Sequence, residues 1–275
     1  MSSIRHLDHW GLREPLTSQS APAESFFASP VHEEALARLH FLVPAGKRLG
    51  LLTGPTGTGK SILLAVFARE LRRQGIPVVL SSLRGRTSAE CPGEWGELLG
   101  LRFDSSMTPT RQWRLLAERL AEQRYLEQTT VFLFDDAHEA SLEVLAQVQR
   151  LLAMGEQGEA FTIVLSALRQ NVTSLGNRIL QCCELHVQLE PWQEDDTAGF
   201  LRAAFKRCGG KDSIFDAAAM KRVHELAAGV PRRVVRLADL ALVAGASQEL
   251  RQVDEATVEQ VCAELCPPEP CFEFA

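Results

Sequence analysis

Eight residues, Gly54-Pro55-Thr56-Gly57-Thr58-Gly59-Lys60-Ser61, restrict this chain more than any other feature of its sequence. They follow a short apolar run, Leu49 to Thr53. They open a segment, Lys60 to Gln74, in which Ile62, Leu63, Val66, Phe67 and Leu71 recur at helical spacing and which Gly75 closes. A Gly-x-x-x-x-Gly-Lys-Ser run between a strand and a helix curls the backbone so that successive N–H groups point inward at an anion. Side chains at the glycine positions would obstruct that curl. The pattern predicts a phosphate-binding P-loop for ATP built from Gly54, Pro55, Thr56, Gly57, Thr58, Gly59, Lys60, Ser61 and Ile62. Lys60 is expected to reach the outer phosphates, and the Ser61 hydroxyl is expected to serve Mg²⁺. The helix that starts here aims the positive end of its dipole at the same anion.

Such a loop needs carboxylates on a neighbouring strand to hold the metal and to polarise an attacking water. Val131-Phe132-Leu133-Phe134-Asp135-Asp136 supplies a buried strand ending in two acids. Asp135 is expected to bind Mg²⁺ and Asp136 to act on the water; the alternative is that both acids merely cap the next helix. Asp136 stands where hydrolytic P-loop proteins mostly carry Glu, and its side chain is one methylene shorter, which predicts slow hydrolysis. His138 follows, either near the outer phosphates or a partner, or facing solvent or capping a helix. Ser166 ends the apolar run Phe161-Thr162-Ile163-Val164-Leu165, either as a sensor of the terminal phosphate or as a plain strand-ending serine. Gly229-Val230-Pro231-Arg232-Arg233 opens a later helix, from which Arg232 is expected to report nucleotide state. A basic residue opposes the dipole at a helix start, so its presence there is mildly unusual.

Around these motifs, short apolar runs alternate with helical patterns: Leu49 to Thr53, Pro77 to Leu80, Val131 to Asp135, Phe161 to Ser166 and Leu185 to Leu189. That alternation predicts an α/β fold, a mostly parallel sheet covered on both faces in three layers. After Pro191 the pattern is helical only, over residues 194–208, 216–228, 231–244 and 254–264. The predicted organisation is an extended N-terminal arm over residues 1–30 lying on the core, a P-loop core over 31–191, a helical lid over 192–265 and a flexible tail over 266–275. Between the second strand and Gly100 the sequence reads as a Gly- and Pro-containing stretch, with no element assigned to it.

Composition narrows the function classes. The 275 residues are 45% hydrophobic and 23% charged, as in ordinary globular proteins. A net charge of -6 argues against a surface that coats nucleic acid or anionic lipid as a whole, while leaving room for a local basic patch. Seven cysteines without a CxxC pair suggest a reducing, cytoplasmic setting, with Cys182 and Cys183 as packing residues and no zinc site. The sequence contains no apolar stretch of membrane-spanning length. A small-molecule kinase would share the P-loop but would not explain the helical unit with its Gly-Val-Pro-Arg run.

Taken together, strand, P-loop, carboxylate strand, polar strand end and helical lid make the chain resemble an AAA+ ATPase. Within that superfamily it is most similar to the ATPase domain of the general secretion pathway protein A family, relatives of ATPases that regulate transposition. The residues that carry this are His9-Trp10-Gly11-Leu12-Arg13-Glu14-Pro15, Ser29-Pro30 with His32-Glu33-Glu34-Ala35-Leu36, the P-loop, Asp135-Asp136-Ala137-His138, and Gly229 to Arg233 followed by Leu237-Ala238. The resemblance implies ATP and Mg²⁺ as cofactors and a nucleotide-dependent homo-oligomer in which a neighbour's arginine completes each site. Arg178 lies in the segment where that arginine is expected, while Cys182 stands where relatives often carry another. It further implies a partner protein complex of the secretion type and a cytoplasmic location, peripheral to the inner membrane through that partner. The alternative is an ATP-gated, DNA-assembling regulator of the transposition type with slow hydrolysis. Secretion relatives can carry a membrane span and a cell-wall-binding part after this domain. Neither is found in these residues, so the membrane role is not expected to transfer automatically.

Overall fold

The order of apolar runs in the chain becomes a single parallel sheet in the computed structural model, which describes residues 2–16, 26–104, 106–156 and 161–265. Its strands are β1 (Leu49–Gly54), β2 (Val78–Ser82), β3 (Thr130–Asp135), β4 (Phe161–Leu168) and β5 (Leu185–Gln188). They lie in the order β2-β3-β4-β1-β5, every pairing parallel. β1 and β3 are continuous apolar runs because a parallel sheet is covered on both faces. Strand alternation then divides the side chains. Leu49, Leu51, Phe132, Phe134, Ile163 and Leu165 pack into one core with α4 (Cys91–Leu98), α5 (Pro109–Tyr125) and α6 (Leu142–Glu156). α3 (Lys60–Arg73) packs against β1, β2 and β3. α2 (Pro30–Leu42) approaches β1 closely, since a Cβ placed on Gly50 would come 2.5 Å from Leu42 Cδ1.

The register sets out the functional edge. Leu52 of β1 pairs with Ser166 of β4, and Ser82 of β2 pairs with Asp135 of β3. β4 lies between β1 and β3, so its polar end is placed between the P-loop that follows β1 and the carboxylates that end β3. This is the carboxyl edge of the strands, where open α/β sheets bind ligands.

A second unit is helical: α8 (Glu194–Arg207), α9 (Ala217–Ala227), α10 (Pro231–Ser247) and α11 (Glu255–Leu265). Its only strand-like feature among the described residues is a single bridge between Phe215 and Val253. Two expectations need correction. The N-terminal segment was expected to be extended and to lie on the sheet core; instead α1 (Ser2–Trp10) is helical and packs within the helical unit. Leu7 and Trp10 stand three residues apart on one helix face, and both pack into the helical core, with Leu12 and Leu16 following. Trp10 Nε1 donates to the Leu242 carbonyl at 2.8 Å, and the Arg13 amide donates to the Cys208 carbonyl at 2.8 Å. The second correction is α4, a helix in the Gly- and Pro-containing stretch to which no element was assigned. Pro92 sits in its first turn, where no N–H is needed. Gly96 is small because a Cβ there would come 2.4 Å from Phe103 Cζ. Trp95 beside it is fully buried. The expected tail over 266–275 lies outside the described residues.

Candidate functional site

The P-loop takes the conformation its glycines permit. Gly57 and Gly59 have φ of +86° and +100°, a region that side chains disfavour. Thr58 is buried and its hydroxyl donates to the Pro55 carbonyl at 2.9 Å, tying the loop across its base. Gly54 has no room for a side chain: a Cβ would stand 2.5 Å from the Leu189 carbonyl oxygen. Lys60 opens α3 and is 7% exposed; its Nζ donates to the carbonyls of Gly54 and Pro55 at 3.0 and 2.9 Å. A buried ammonium inside a loop of inward-curling backbone at a helix N-terminus is a fit for phosphate oxygens. Ser61 is exposed on the first turn, and Ile62 is half-buried.

Across β4, Ser166 bonds the side chain of Asp135 and the backbone of Asp136. It is fully buried, and its hydroxyl donates to Asp135 Oδ1 while accepting from the Asp136 amide at 3.1 Å. Asp136 has a φ of +51°, a left-handed backbone that turns the chain sharply out of the strand. Its carboxyl is held above the ordinary range by partial burial, then by the neighbouring charges of Asp135 and Glu139, while His138 and Arg84 oppose that rise. Glu139 is itself paired with Arg84 at 2.9 Å. His138 does not face solvent: its side chain is 4% exposed, its Nε2 stands 3.7 Å from Glu139, and its buried Nδ1 has no hydrogen-bond partner among the described residues. The Asp135 carboxylate and the Ser61 hydroxyl are hard oxygen donors of the kind Mg²⁺ takes.

Comparison with known proteins agrees with this geometry, the AAA domain family matching residues 44–173. That stretch of the chain is similar to an AAA domain. The matched residues include the P-loop, both carboxylates and Ser166. The chain is similar to general secretion pathway protein A of Aeromonas hydrophila, with 26% identity over 86% of this chain and 44% of that protein. It thus spans under half the length of this relative. Its fold is shared with ORC1 of Aeropyrum pernix, solved in complex with DNA, at a TM-score of 0.65 and 18% identity over 86% of this chain and 66% of that one. ORC2 of the same organism, solved in ADPNP–ADP complexes, matches at 0.62 and 13% over 84% and 66%. The RuvB Holliday junction branch migration motor of Thermotoga maritima matches at 0.57 and 15% over 91% and 73%.

Outside the AAA domain match, the remaining expected residues fall in two places. Arg178 lies on α7 (Asn177–Gln181) and is exposed, while its carbonyl accepts from Cys182 Sγ at 3.3 Å. Arg232 is exposed on the first turn of α10 in the helical unit. The glycine before it has a backbone reason: a Cβ on Gly229 would come 2.2 Å from the Trp192 carbonyl oxygen, and the Trp192 amide donates to the Gly229 carbonyl at 2.8 Å. Two contributors escaped sequence reasoning about the site. His32 stands among the residues that carry the family resemblance, but nothing in the sequence tied it to the loop; it is buried and bonds the Thr58 carbonyl. Arg84, just past β2, faces the carboxylate turn only through the register of β2 with β3.

Proposed function

We propose that this chain binds ATP with Mg²⁺ at the P-loop and hydrolyses it slowly, as a nucleotide-driven switch acting on a protein assembly. The observation that carries the reading is that one sheet edge bears both the Lys60 loop and two adjacent acids, with Ser166 bonded to the Asp135 carboxylate and the Asp136 amide. Lys60 and the amides from Thr56 to Ser61 would hold the phosphates, and Ser61 with Asp135 would hold the metal. Bound Mg²⁺ supplies charge neutralisation at the phosphates. Asp136 is the candidate base, and its raised affinity for a proton suits it to accept one from water. Its short side chain and left-handed backbone support slow turnover. Ser166 orients both acids, and sensing of the terminal phosphate would pass through its bond to Asp135.

Similarity to a general secretion pathway protein supports a protein complex as the target and a cytoplasmic site of action peripheral to the inner membrane. No helix among the described residues is long and apolar enough to cross a membrane. Exposed Arg178 is available to a neighbouring copy in a nucleotide-dependent homo-oligomer, and Arg232 would couple the helical unit to the nucleotide. The division into a 31–191 core and a 192–265 lid is part of the same proposal. A second reading, an ATP-gated DNA-assembling regulator, is favoured by the likeness to ORC1, which was solved with DNA. Phosphate release by the purified chain, and its loss in Asp136→Asn with ATP binding retained, tests the first reading. DNA binding that requires ATP and falls steeply with salt would favour the second.

A further inference from the structure

One buried side chain from outside the loop reaches its middle. His32, near the start of α2, is 2% exposed, and its Nε2 stands 3.0 Å from the Thr58 carbonyl oxygen. A carbonyl only accepts, so the shared proton belongs to the imidazole and Nε2 is the protonated ring nitrogen. The same nitrogen also lines the space beside the next residue: a Cβ on Gly59 would come 2.7 Å from it. α2 is itself anchored to the P-loop helix, because His40 Nε2 stands 2.7 Å from Glu70 Oε2 and the His40 ring meets Phe67 edge-on at 4.9 Å.

Peptide planarity turns this contact into a statement about the loop. The carbonyl of Thr58 and the amide of Gly59 belong to one trans unit, so they point in opposite directions. A carbonyl drawn toward His32 sends the Gly59 N–H away from α2. Glycine tolerates both signs of φ, so the Thr58–Gly59 peptide has little intrinsic preference against flipping. A flip would turn the Gly59 N–H toward the imidazole N–H and the Thr58 carbonyl toward bound anion, opposing like ends at both places.

We propose that His32 is a positioning residue for nucleotide binding, a donor that locks the Thr58–Gly59 peptide with its amide presented to phosphate. The proposal rests on the reading of this loop as an ATP site. His32 touches no phosphate; it acts through the peptide. Its donor function, rather than its bulk, is what the loop needs.

Three variants separate these roles. His32→Met keeps apolar volume without a donor, and weakens ATP affinity roughly 5- to 30-fold, because the peptide without its donor presents its amide to phosphate in only a fraction of the molecules. His32→Gln restores an N–H donor and returns affinity to within about threefold of wild type. Lys60→Ala serves as the non-binding control. Binding is measured by calorimetry with a slowly hydrolysed ATP analogue and Mg²⁺, with thermal melts of each variant alongside. Equal affinity in wild type and a folded His32→Met overturns the proposal, as does a loss that His32→Gln fails to reverse while melting like wild type. Should the variants not fold, the wild-type chain decides by NMR. Ring ¹⁵N shifts are expected to show a protonated Nε2 on His32, and the Gly59 amide is expected to shift on adding ATP. An unprotonated Nε2, or a Gly59 amide unmoved while other loop amides respond, overturns the proposal. A wild-type chain in which no amide responds to ATP would instead sink the functional reading on which it rests.

Discussion

Ser166→Ala removes one oxygen and two interactions. The lost hydroxyl donates to the Asp135 carboxylate and accepts from the Asp136 amide, at a position with no solvent exposure. A hydrogen bond to a charged acceptor contributes about 1.5–3 kcal/mol, and an amide donor to a neutral oxygen about 1 kcal/mol. Both acids are only half-buried, so water can replace part of what is lost. The expected net destabilisation is about 2 kcal/mol, read as a lower urea midpoint at unchanged m-value. The P-loop is untouched, so affinity for a slowly hydrolysed ATP analogue should stay within about threefold. Phosphate release should fall by roughly tenfold or more, because the candidate base and metal ligand lose the hinge that orients them. The reasoning is refuted by a variant that keeps both wild-type stability and wild-type turnover, or by one that loses ATP affinity as steeply as turnover.

The remaining predictions concern protons and thiols. Asp136 binds its proton more tightly in the folded chain than in an unfolded one, so its contribution to stability is intact below the ordinary carboxylate range and is lost as pH rises through its folded value. Asp136→Asn removes that penalty: its unfolding free energy relative to wild type should grow from acid toward neutral pH, and a difference independent of pH would contradict the assignment. Cys91 is 1% exposed, and burial followed by the Glu94 and Glu90 charges pushes its thiol up to about 11. Iodoacetamide at mildly alkaline pH should therefore leave Cys91 unmodified in the native chain and alkylate it in urea, as peptide mass spectrometry would show; rapid native labelling would count against this packing.

Much of this site was readable from local pattern. Lys60 and the glycines announce themselves because phosphate binding is a property of contiguous backbone, and Asp135 is marked by the apolar strand it ends. The parallel sheet follows from continuous apolar runs alternating with helices. What stayed hidden depends on contacts far apart in sequence. His32 is joined to Thr58 across 26 residues, and Ser166 to Asp135 across 31, so neither bond has a sequence signature. α4 was obscured because Gly96 lowers helix propensity for a packing reason supplied by Phe103. α1 was missed because few apolar residues mark it, and its burial comes from Trp10 docking on α10, where a Cβ on Gly245 would stand 3.0 Å from the indole.

The central claim is that the loop from Gly54 to Ser61 holds ATP through Lys60, and equilibrium calorimetry tests it most directly. Wild-type chain is titrated with a slowly hydrolysed ATP analogue and Mg²⁺ beside Lys60→Ala, each shown to be folded by circular dichroism. The account predicts saturable one-site binding by wild type and a loss of at least about 100-fold in the variant, where removal of a buried ammonium deprives the phosphates of their charged donor. Undetectable binding by folded wild type, or equal affinity in the two proteins, would contradict it.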